Sequence, residues 1–166
     1  MIRKVDLGDC PLGKGIFARF PIASGEVVFF LTGKFLTLEE ALQQQDEGAN
    51  TVGIGSGRYI DPGFPTVFIN HSCDPNAGIV DDLTFIALRD IAKGEEVRFD
   101  YSTALMERLW TMECACGTAK CRGVIQDFDL LPEALQQDYL RRKIVQSYIV
   151  DALAHRRETV GKPVAA

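Results

Sequence analysis

Three cysteines lie within a run of eight residues and form the densest group of possible metal ligands in the chain: Cys114, Cys116 and Cys121. Glycine and charged residues surround them, which disfavours their burial as core thiols. Zinc in a closed structural site takes four ligands in a tetrahedron, so three thiolates would need a fourth from elsewhere. The residues that could supply it are Cys10, Cys73, His71 and His155.

A second chemically rich stretch covers residues 70–76, with the sequence Asn-His-Ser-Cys-Asp-Pro-Asn. Residues of these types favour turns, and such a turn could present the sulfur of Cys73 to a metal. Cys10 instead precedes a proline in an N-terminal loop. Spacing alone does not choose between these sulfurs.

Composition limits what the protein can do. The 166 residues include 46% hydrophobic and 25% charged residues, the balance of a single globular domain. With 18 basic against 23 acidic residues the net charge is −5, which argues against direct nucleic-acid binding and suits a basic protein or peptide partner. We expect no membrane association and an intracellular location, cytoplasmic before nuclear, because no signal peptide is visible and no apolar run could span a bilayer. Oligomeric state is left open.

These chemical groups must be positioned by a β-rich framework. The first hundred residues are typical of short strands separated by glycine and proline, and one helix is predicted from Thr37 to about Asp46 by a capping box. The predicted strands are Ile2–Val5, Gly15–Arg19, Glu26–Leu31, Arg58–Asp61, Thr66–Ile69, Thr84–Leu88 and Glu96–Phe99.

The pattern changes after Tyr101. Thr103–Trp110 is predicted to form a short helix, and the cysteine group should be a loop. Pro132 to about Arg157 has apolar residues near a period of 3.6, which predicts a packing helix. The fold class expected is therefore mainly β with a few helices.

Four segments together resemble the SET-domain protein-lysine methyltransferases, in their order, their spacing and the Asn-His-Ser-Cys-x-Pro-Asn string. The resemblance covers about Lys4 to Gly123 and resolves the chain into a SET domain (4–102), a post-SET zinc loop (110–126) and a C-terminal helical tail (131–158). The four segments are residues 12–18, 68–76, 87–101 and 114–123.

The resemblance implies a SET, β-clip-like fold in which the segment at 70–73 and the segment that ends at Tyr101 pack together as a pseudoknot. It implies S-adenosylmethionine as cofactor and zinc as a structural metal beside the cofactor pocket. The fourth zinc ligand of the family comes from the Asn-His-Ser-Cys motif, which leaves Cys10 free. The implied zinc ligands are Cys73, Cys114, Cys116 and Cys121.

The same resemblance assigns roles to individual residues. Tyr101 would place its hydroxyl where the substrate amine meets the cofactor methyl group, and the family does not use His71 as a general base. Methyl transfer needs alignment more than acid or base groups. The residues implied to bind the cofactor are Gly13, Lys14, Gly15, Asn70, His71 and Tyr101.

Phe99, two residues before Tyr101, stands at a position where the family varies between phenylalanine and tyrosine. Without a tyrosine hydroxyl the methylated amine has room to rotate, so a di- or trimethyl product is expected. Phe99 is also expected to face the core of a strand. The function expected is transfer of methyl groups to lysine in a histone-like or other basic protein; the alternative is a catalytically idle, zinc-stabilised SET-fold module that only binds proteins.

Overall fold

Short strands in small sheets make up the first two thirds of the described structure. The computed structural model describes residues 4–44 and 50–160, with the backbone alone for residues 157–160. The strands are β1 (Val5–Cys10), β2 (Gly13–Ala18), β3 (Val27–Phe30), β4 (Gly33–Thr37), β5 (Val52–Gly55), β6 (Arg58–Pro62), β7 (Asn70–His71), β8 (Ala77–Val80), β9 (Thr84–Ala87), β10 (Arg98–Phe99), β11 (Met112–Glu113) and β12 (Val124–Ile125).

Three helices accompany the strands within the described ranges: α1 (Leu38–Gln43), α2 (Glu133–Arg141) and α3 (Ser147–Val160). The predicted capping box is present, since the Thr37 side chain accepts from the Glu40 backbone amide and the Glu40 carboxylate accepts from the Thr37 amide. The predicted end of this helix near Asp46 lies outside the described residues. No helix in the described part of the chain combines the length and apolar character needed to cross a bilayer.

Antiparallel pairing builds most of the sheets. β1 pairs with β2, and β3, β9 and β8 form one three-stranded sheet while β4, β6 and β5 form another. The exception is β7, which pairs in parallel with β10 so that Asn70 lies opposite Arg98 and His71 lies opposite Phe99. This pairing joins the two segments that the resemblance places in the pseudoknot, immediately before Tyr101.

Two apolar clusters hold the described chain together. The first lies among the sheets and includes Ile16, Phe85 and Phe99, all at most 3% exposed. The second joins α2 and α3 to the loop before them, with Phe128, Tyr139 and further residues at its centre. The β-rich class with a few helices is confirmed.

Three predicted elements differ from the structure in type or number. The residues predicted as the strand Thr66–Ile69 instead begin with a 3-10 turn, Thr66–Phe68, because the Gly63 carbonyl accepts both the Thr66 hydroxyl (2.8 Å) and the Val67 amide (3.1 Å). These local hydrogen bonds occupy backbone groups that would otherwise have paired with a neighbouring strand in a sheet.

The helix predicted over Thr103–Trp110 is also wrong. A 3-10 turn over Tyr101–Ala104 ends at Leu105, which is extended, and Arg108 has a left-handed backbone with φ 60°. A continuous α-helix cannot pass through either conformation.

The tail forms two helices where one was predicted. Lys143 adopts φ 56°, which ends the first helix, and Ile144 then turns into the second apolar cluster. The Gln146 amide donates to the Thr103 carbonyl at 3.1 Å, so the break between α2 and α3 is attached to the turn that follows Tyr101.

Candidate active site and metal centre

Tyr101 stands where the parallel strand pair meets the 3-10 turn. The Asp100 side chain caps this turn by accepting from the Ser102 amide at 3.1 Å. The Tyr101 hydroxyl donates to the Ile69 carbonyl at 2.6 Å, so the phenol is held toward the neighbouring strand segment. Burial, with the Glu96 carboxylate as a smaller cause, raises the pKa of Tyr101 to about 12 and keeps it a neutral phenol at physiological pH.

An apolar groove of about 300 Å³ opens beside Tyr101. Aromatic rings pack around the phenol: the Phe99 ring centroid lies 4.9 Å from it and the Trp110 centroid lies 6.4 Å from it. Phe99 is 3% exposed and lines the groove, so it faces the core and forms part of the wall at the same time. A long aliphatic side chain that ends in an amine could enter such a groove with its polar end toward Tyr101.

The glycine-rich strand lies beside β7, where the cofactor residues were expected. Gly13 adopts φ 105°, and a Cβ placed there would meet no atom within 4 Å, so its backbone is open to a small molecule. A Cβ on Gly15 would instead lie 2.4 Å from the Glu96 carboxylate and 3.1 Å from the Asn70 amide nitrogen. The Lys14 side chain points away toward Asp9, with Nζ 2.5 Å from Oδ1.

Asn70 connects the strands that carry these residues. Its amide nitrogen donates to the Lys14 carbonyl at 2.9 Å and to Glu96 Oε1 at 2.7 Å. The structure thus brings Lys14 and Gly15 to Asn70, with Gly13 at the start of the same strand, and places His71 next to Tyr101. The open backbone at Gly13 and the polar groups around Asn70 fit the amino-acid end of S-adenosylmethionine.

Four metal-ligating side chains converge close to this strand pair. The donor atoms of His71, Cys73, Cys114 and Cys116 all lie within 4.8 Å of one another. The Cys73 and Cys114 sulfurs are 3.6 Å apart, close to the roughly 3.8 Å that separates two sulfurs on one tetrahedral zinc with bonds of about 2.3 Å. The donor set therefore fits zinc.

His71 is a neighbour of this cluster with its ring already engaged. Its Nδ1 accepts the Tyr101 amide at 3.2 Å, which leaves the ring proton on Nε2, and Nε2 lies 3.2 Å from the Cys73 sulfur. Burial lowers the pKa of His71 to about 4, so the ring is neutral. A protonated Nε2 donates to a thiolate and has no lone pair for a metal.

The cysteines differ in their surroundings. Cys116 is buried, which alone would raise its pKa, but hydrogen bonds from Thr118 and from neighbouring groups lower the pKa to about 6 and favour the thiolate. Cys121 is exposed, lies outside the group of four, and has its sulfur 3.6 Å from the Cys114 carbonyl oxygen. The prediction that Cys121 is a zinc ligand stays a prediction.

Cys10 lies apart from this cluster, with its sulfur 3.4 Å from the Asn70 amide nitrogen.

Sequence reasoning missed a buried charge network under Tyr101. Asp100 has no exposed side-chain surface, and Arg122 reaches it with both terminal nitrogens at 2.8 Å. The Tyr139 hydroxyl of α2 donates to Oδ2 of the same carboxylate at 3.0 Å. Asp100 and Arg122 lie in two of the four resembling segments, but their pairing over 22 residues has no local signal.

Trp110 and Glu107 were also missed as groove residues. Both line the groove next to Tyr101, but the segment that carries them was assigned to a helix. The conformation of this segment depends on contacts with residues 127–129, which no pattern in the segment itself indicates.

The fold and this arrangement define a SET domain. The family described as "SET domain" matches residues 13–102 of the 166, and the chain belongs to that family. The parallel β7–β10 pair, Asn70, His71 and Tyr101 all lie inside the matched region.

Several curated relatives are similar to the chain. "Histone-lysine N-methyltransferase, H3 lysine-9 specific dim-5" of Neurospora crassa is 42% identical over 82 residues, which covers 37% of this chain and 25% of the relative. "Histone-lysine N-methyltransferase ATX2" of Arabidopsis thaliana is 34% identical over 134 residues, covering 69% of this chain and 12% of the relative. The chain thus spans a quarter or less of the length of these two relatives.

Solved structures agree on the fold. A humanized mutant of the Chaetomium thermophilum Polycomb Repressive Complex 2 bound to the inhibitor GSK126 matches with a TM-score of 0.55 at 26% identity, over 63% of this chain and 15% of that chain. A complex titled as bound to S-adenosylmethionine matches with a TM-score of 0.56 at 24% identity, over 63% of this chain and 16% of that one, which supports the fold alone.

Proposed function

We propose that this protein is a protein-lysine N-methyltransferase that uses S-adenosylmethionine. The observation that carries the proposal is the Tyr101 phenol, held by the Ile69 carbonyl at 2.6 Å in the wall of an apolar groove. A protein-binding module would need neither a neutral buried phenol at that point nor a groove lined by it. Membership of a family whose curated relatives are named histone-lysine methyltransferases supports the same activity.

The groove residues would align the reacting amine. A lysine has a reference pKa near 10.4 and must lose its proton before it can attack a methyl group. Apolar walls formed by Phe99 and Trp110 disfavour the charged ammonium and so lower that pKa, and the proton can leave to solvent without a dedicated base. S-adenosylmethionine, when bound, supplies a methyl group on a sulfonium, which the amine nitrogen takes as the carbon–sulfur bond breaks.

The cofactor and metal assignments are part of the proposal. We assign the cofactor to Gly13, Lys14, Gly15, Asn70, His71 and Tyr101, because these residues lie together on and beside the β2 and β7 strands. We assign zinc to Cys73, Cys114 and Cys116 with Cys121 as the fourth ligand, since the His71 ring nitrogen nearest the sulfurs carries a proton. Zinc would then fix the loop of residues 114–121 against the strand pair that carries His71.

We propose a basic protein segment as the substrate, with histone tails as its first test. The relatives are named for histones, and the net charge of −5 complements a basic chain. Phe99, packed beside Tyr101, carries no hydroxyl that could restrain a methylated amine, so we assign a di- or trimethyl product.

The experiment is calorimetry with S-adenosylmethionine, followed by transfer of labelled methyl groups to core histones and to a peptide array. We expect binding and transfer by the wild type. Tyr101→Phe should still bind the cofactor and fold normally, but turnover should fall by about 10²–10³, the order of magnitude for loss of one hydroxyl at a reacting centre.

Absence of cofactor binding would contradict the proposal and favour the idle protein-binding module. Binding together with near-normal turnover of Tyr101→Phe would instead show that the phenol only packs. Circular dichroism of both proteins controls for folding.

A further inference from the structure

The charges that line the groove beside Tyr101 have one sign. Most of its walls are apolar, among them Leu38 and Leu42 on α1 and Leu109 on the opposite side. The charged residues that line it in the described chain are Glu107 and Asp127, both acidic. A groove of this kind favours a ligand with aliphatic length and a positive end.

Asp127 is already neutralised. It is 3% exposed, and its Oδ2 accepts from the Arg108 guanidinium at 2.6 Å and from the Arg108 backbone amide at 2.7 Å. Asp127 therefore has an internal cation and is not available to a ligand.

The Glu107 carboxylate accepts hydrogen bonds, but no lysine, arginine or histidine of the described residues forms a salt bridge with it. Its Oε1 accepts the Tyr59 hydroxyl at 3.0 Å, and its Oε2 accepts the Met106 amide at 3.1 Å and the Tyr148 hydroxyl at 3.4 Å. A carboxylate offers about four acceptor sites, so three donors orient it and leave capacity for another. Burial and then the Glu107 charge raise the pKa of Tyr59 to about 12, so this donor stays neutral.

The backbone that carries Glu107 is fixed by contacts outside the groove. Arg108 has φ 60°, a conformation that costs energy for a residue other than glycine. Its guanidinium reaches both carboxylate oxygens of Asp129, at 2.7 and 2.8 Å, and its amide is held by Asp127. These anchors stabilise the turn that places Glu107 and Leu109 on the groove together.

We propose that Glu107 binds a second basic side chain of the substrate, close in sequence to the target lysine. This inference rests on the proposed function and specifies its substrates further. The preferred substrates are segments in which arginine or lysine flanks the methylated lysine. The apolar walls cover the aliphatic stem of that side chain, while the carboxylate meets its charged end. A charge-assisted hydrogen bond of this kind gives about tenfold in affinity.

The test is a peptide series with one target lysine and with arginine, glutamine or glutamate at each flanking position in turn. We expect the wild type to prefer arginine at one position by about tenfold in kcat/KM, mainly through KM. Glu107→Gln should lose this preference and give similar kcat/KM for the arginine and glutamine peptides. Its amide oxygen can take the place of one carboxylate oxygen and accept the donors there, and the tyrosine hydroxyl that faces the amide nitrogen can accept from it. Glu107→Lys should prefer the glutamate peptide.

A matched control is Glu133→Gln on the exposed surface of α2, which should retain the arginine preference. Fluorescence anisotropy with the labelled arginine and glutamine peptides measures the same preference without turnover, and melting curves check that the variants fold. An equal preference in wild type and Glu107→Gln, or none in the wild type, would overturn this inference. Failure to methylate any peptide would count against the proposed activity, and the anisotropy comparison would still decide the role of Glu107.

Discussion

Phe99 shows how a single side chain can serve both the core and the site. Its ring packs edge-on against Phe85 at 5.1 Å and lies 4.9 Å from Tyr101, so it is fixed from two sides. Phe99 is 3% exposed and closely packed, so the space beside Tyr101 depends on the shape of its ring. We therefore expect that adding a polar atom here would change what the reacting amine can do after its first methylation.

We predict that Phe99→Tyr shifts the product toward monomethyl-lysine. The new hydroxyl would occupy space next to Tyr101 and could hold a water or the amine in one orientation, which blocks rotation for the next transfer. Mass spectrometry of a saturating reaction on the best peptide of the array measures the product distribution. A wild type that stops at one methyl group would refute this reading of Phe99.

Elements near the site could be predicted to different degrees. The capping box at Thr37 is a local signal and was found in place. The sequence motif that contains Asn76 was recognised, but its structural role could not be predicted. The Asn76 side chain connects two segments, because it accepts from the Arg98 amide at 2.8 Å and donates to the Glu96 carbonyl at 2.8 Å. These contacts join residues 20 and 22 positions apart in the chain, and the β7–β10 pair beside them is only two residues long in each strand.

In the segment that follows Tyr101, local sequence patterns no longer predict the secondary structure. Residues 103–110 have good helix propensity, but the Asp100 cap stabilises a 3-10 turn and Arg108 is anchored by Asp127 and Asp129. Tertiary hydrogen bonds to charged groups outweigh helix propensities of a few tenths of a kcal/mol per residue.

At the same scale, the cysteine loop should behave as one metal-dependent unit. We predict about one zinc per chain in protein purified without added metal, and loss of that zinc in Cys116→Ser. Because the loop packs on Cys73 and the strand pair, cofactor affinity should weaken in the same variant. Elemental analysis and calorimetry measure the two effects.

Cys10→Ser is the matched control, because the Cys10 sulfur contacts Asn70 and not the cluster. It should retain zinc and bind the cofactor nearly as the wild type does. Equal zinc loss in both variants would contradict the ligand assignment.

Across the whole molecule, the buried Asp100–Arg122 pair connects three parts of the chain. Asp100 belongs to the segment of Tyr101, Arg122 follows the cysteine loop, and the Tyr139 hydroxyl arrives from α2. The Arg122 amide also donates to the Cys73 sulfur at 3.4 Å. The segment after the cysteine loop, the turn at Tyr101–Ala104 and α2 are therefore joined through one carboxylate.

We predict that Tyr139→Phe destabilises the protein by about 1.5–3 kcal/mol, the usual effect of losing a hydrogen bond to a buried charged group. Urea unfolding measures the free energy. Tyr59→Phe is the control, since its partner Glu107 is exposed and water can replace the lost donor, so the loss there should be smaller. Equal losses in the two variants would argue against a special role for Asp100.

The second apolar cluster has a consequence for where this domain ends. It packs α2 and α3 against Val80 and Leu88, which lie inside the region of the family match, and β1 pairs along its full length with β2 although all of β1 precedes that region. A fragment cut to residues 13–102 would expose the Val80 and Leu88 side chains to solvent and leave β2 (Gly13–Ala18) without its partner strand. The limits of the family match are therefore narrower than the limits of the domain that packs together in the described chain.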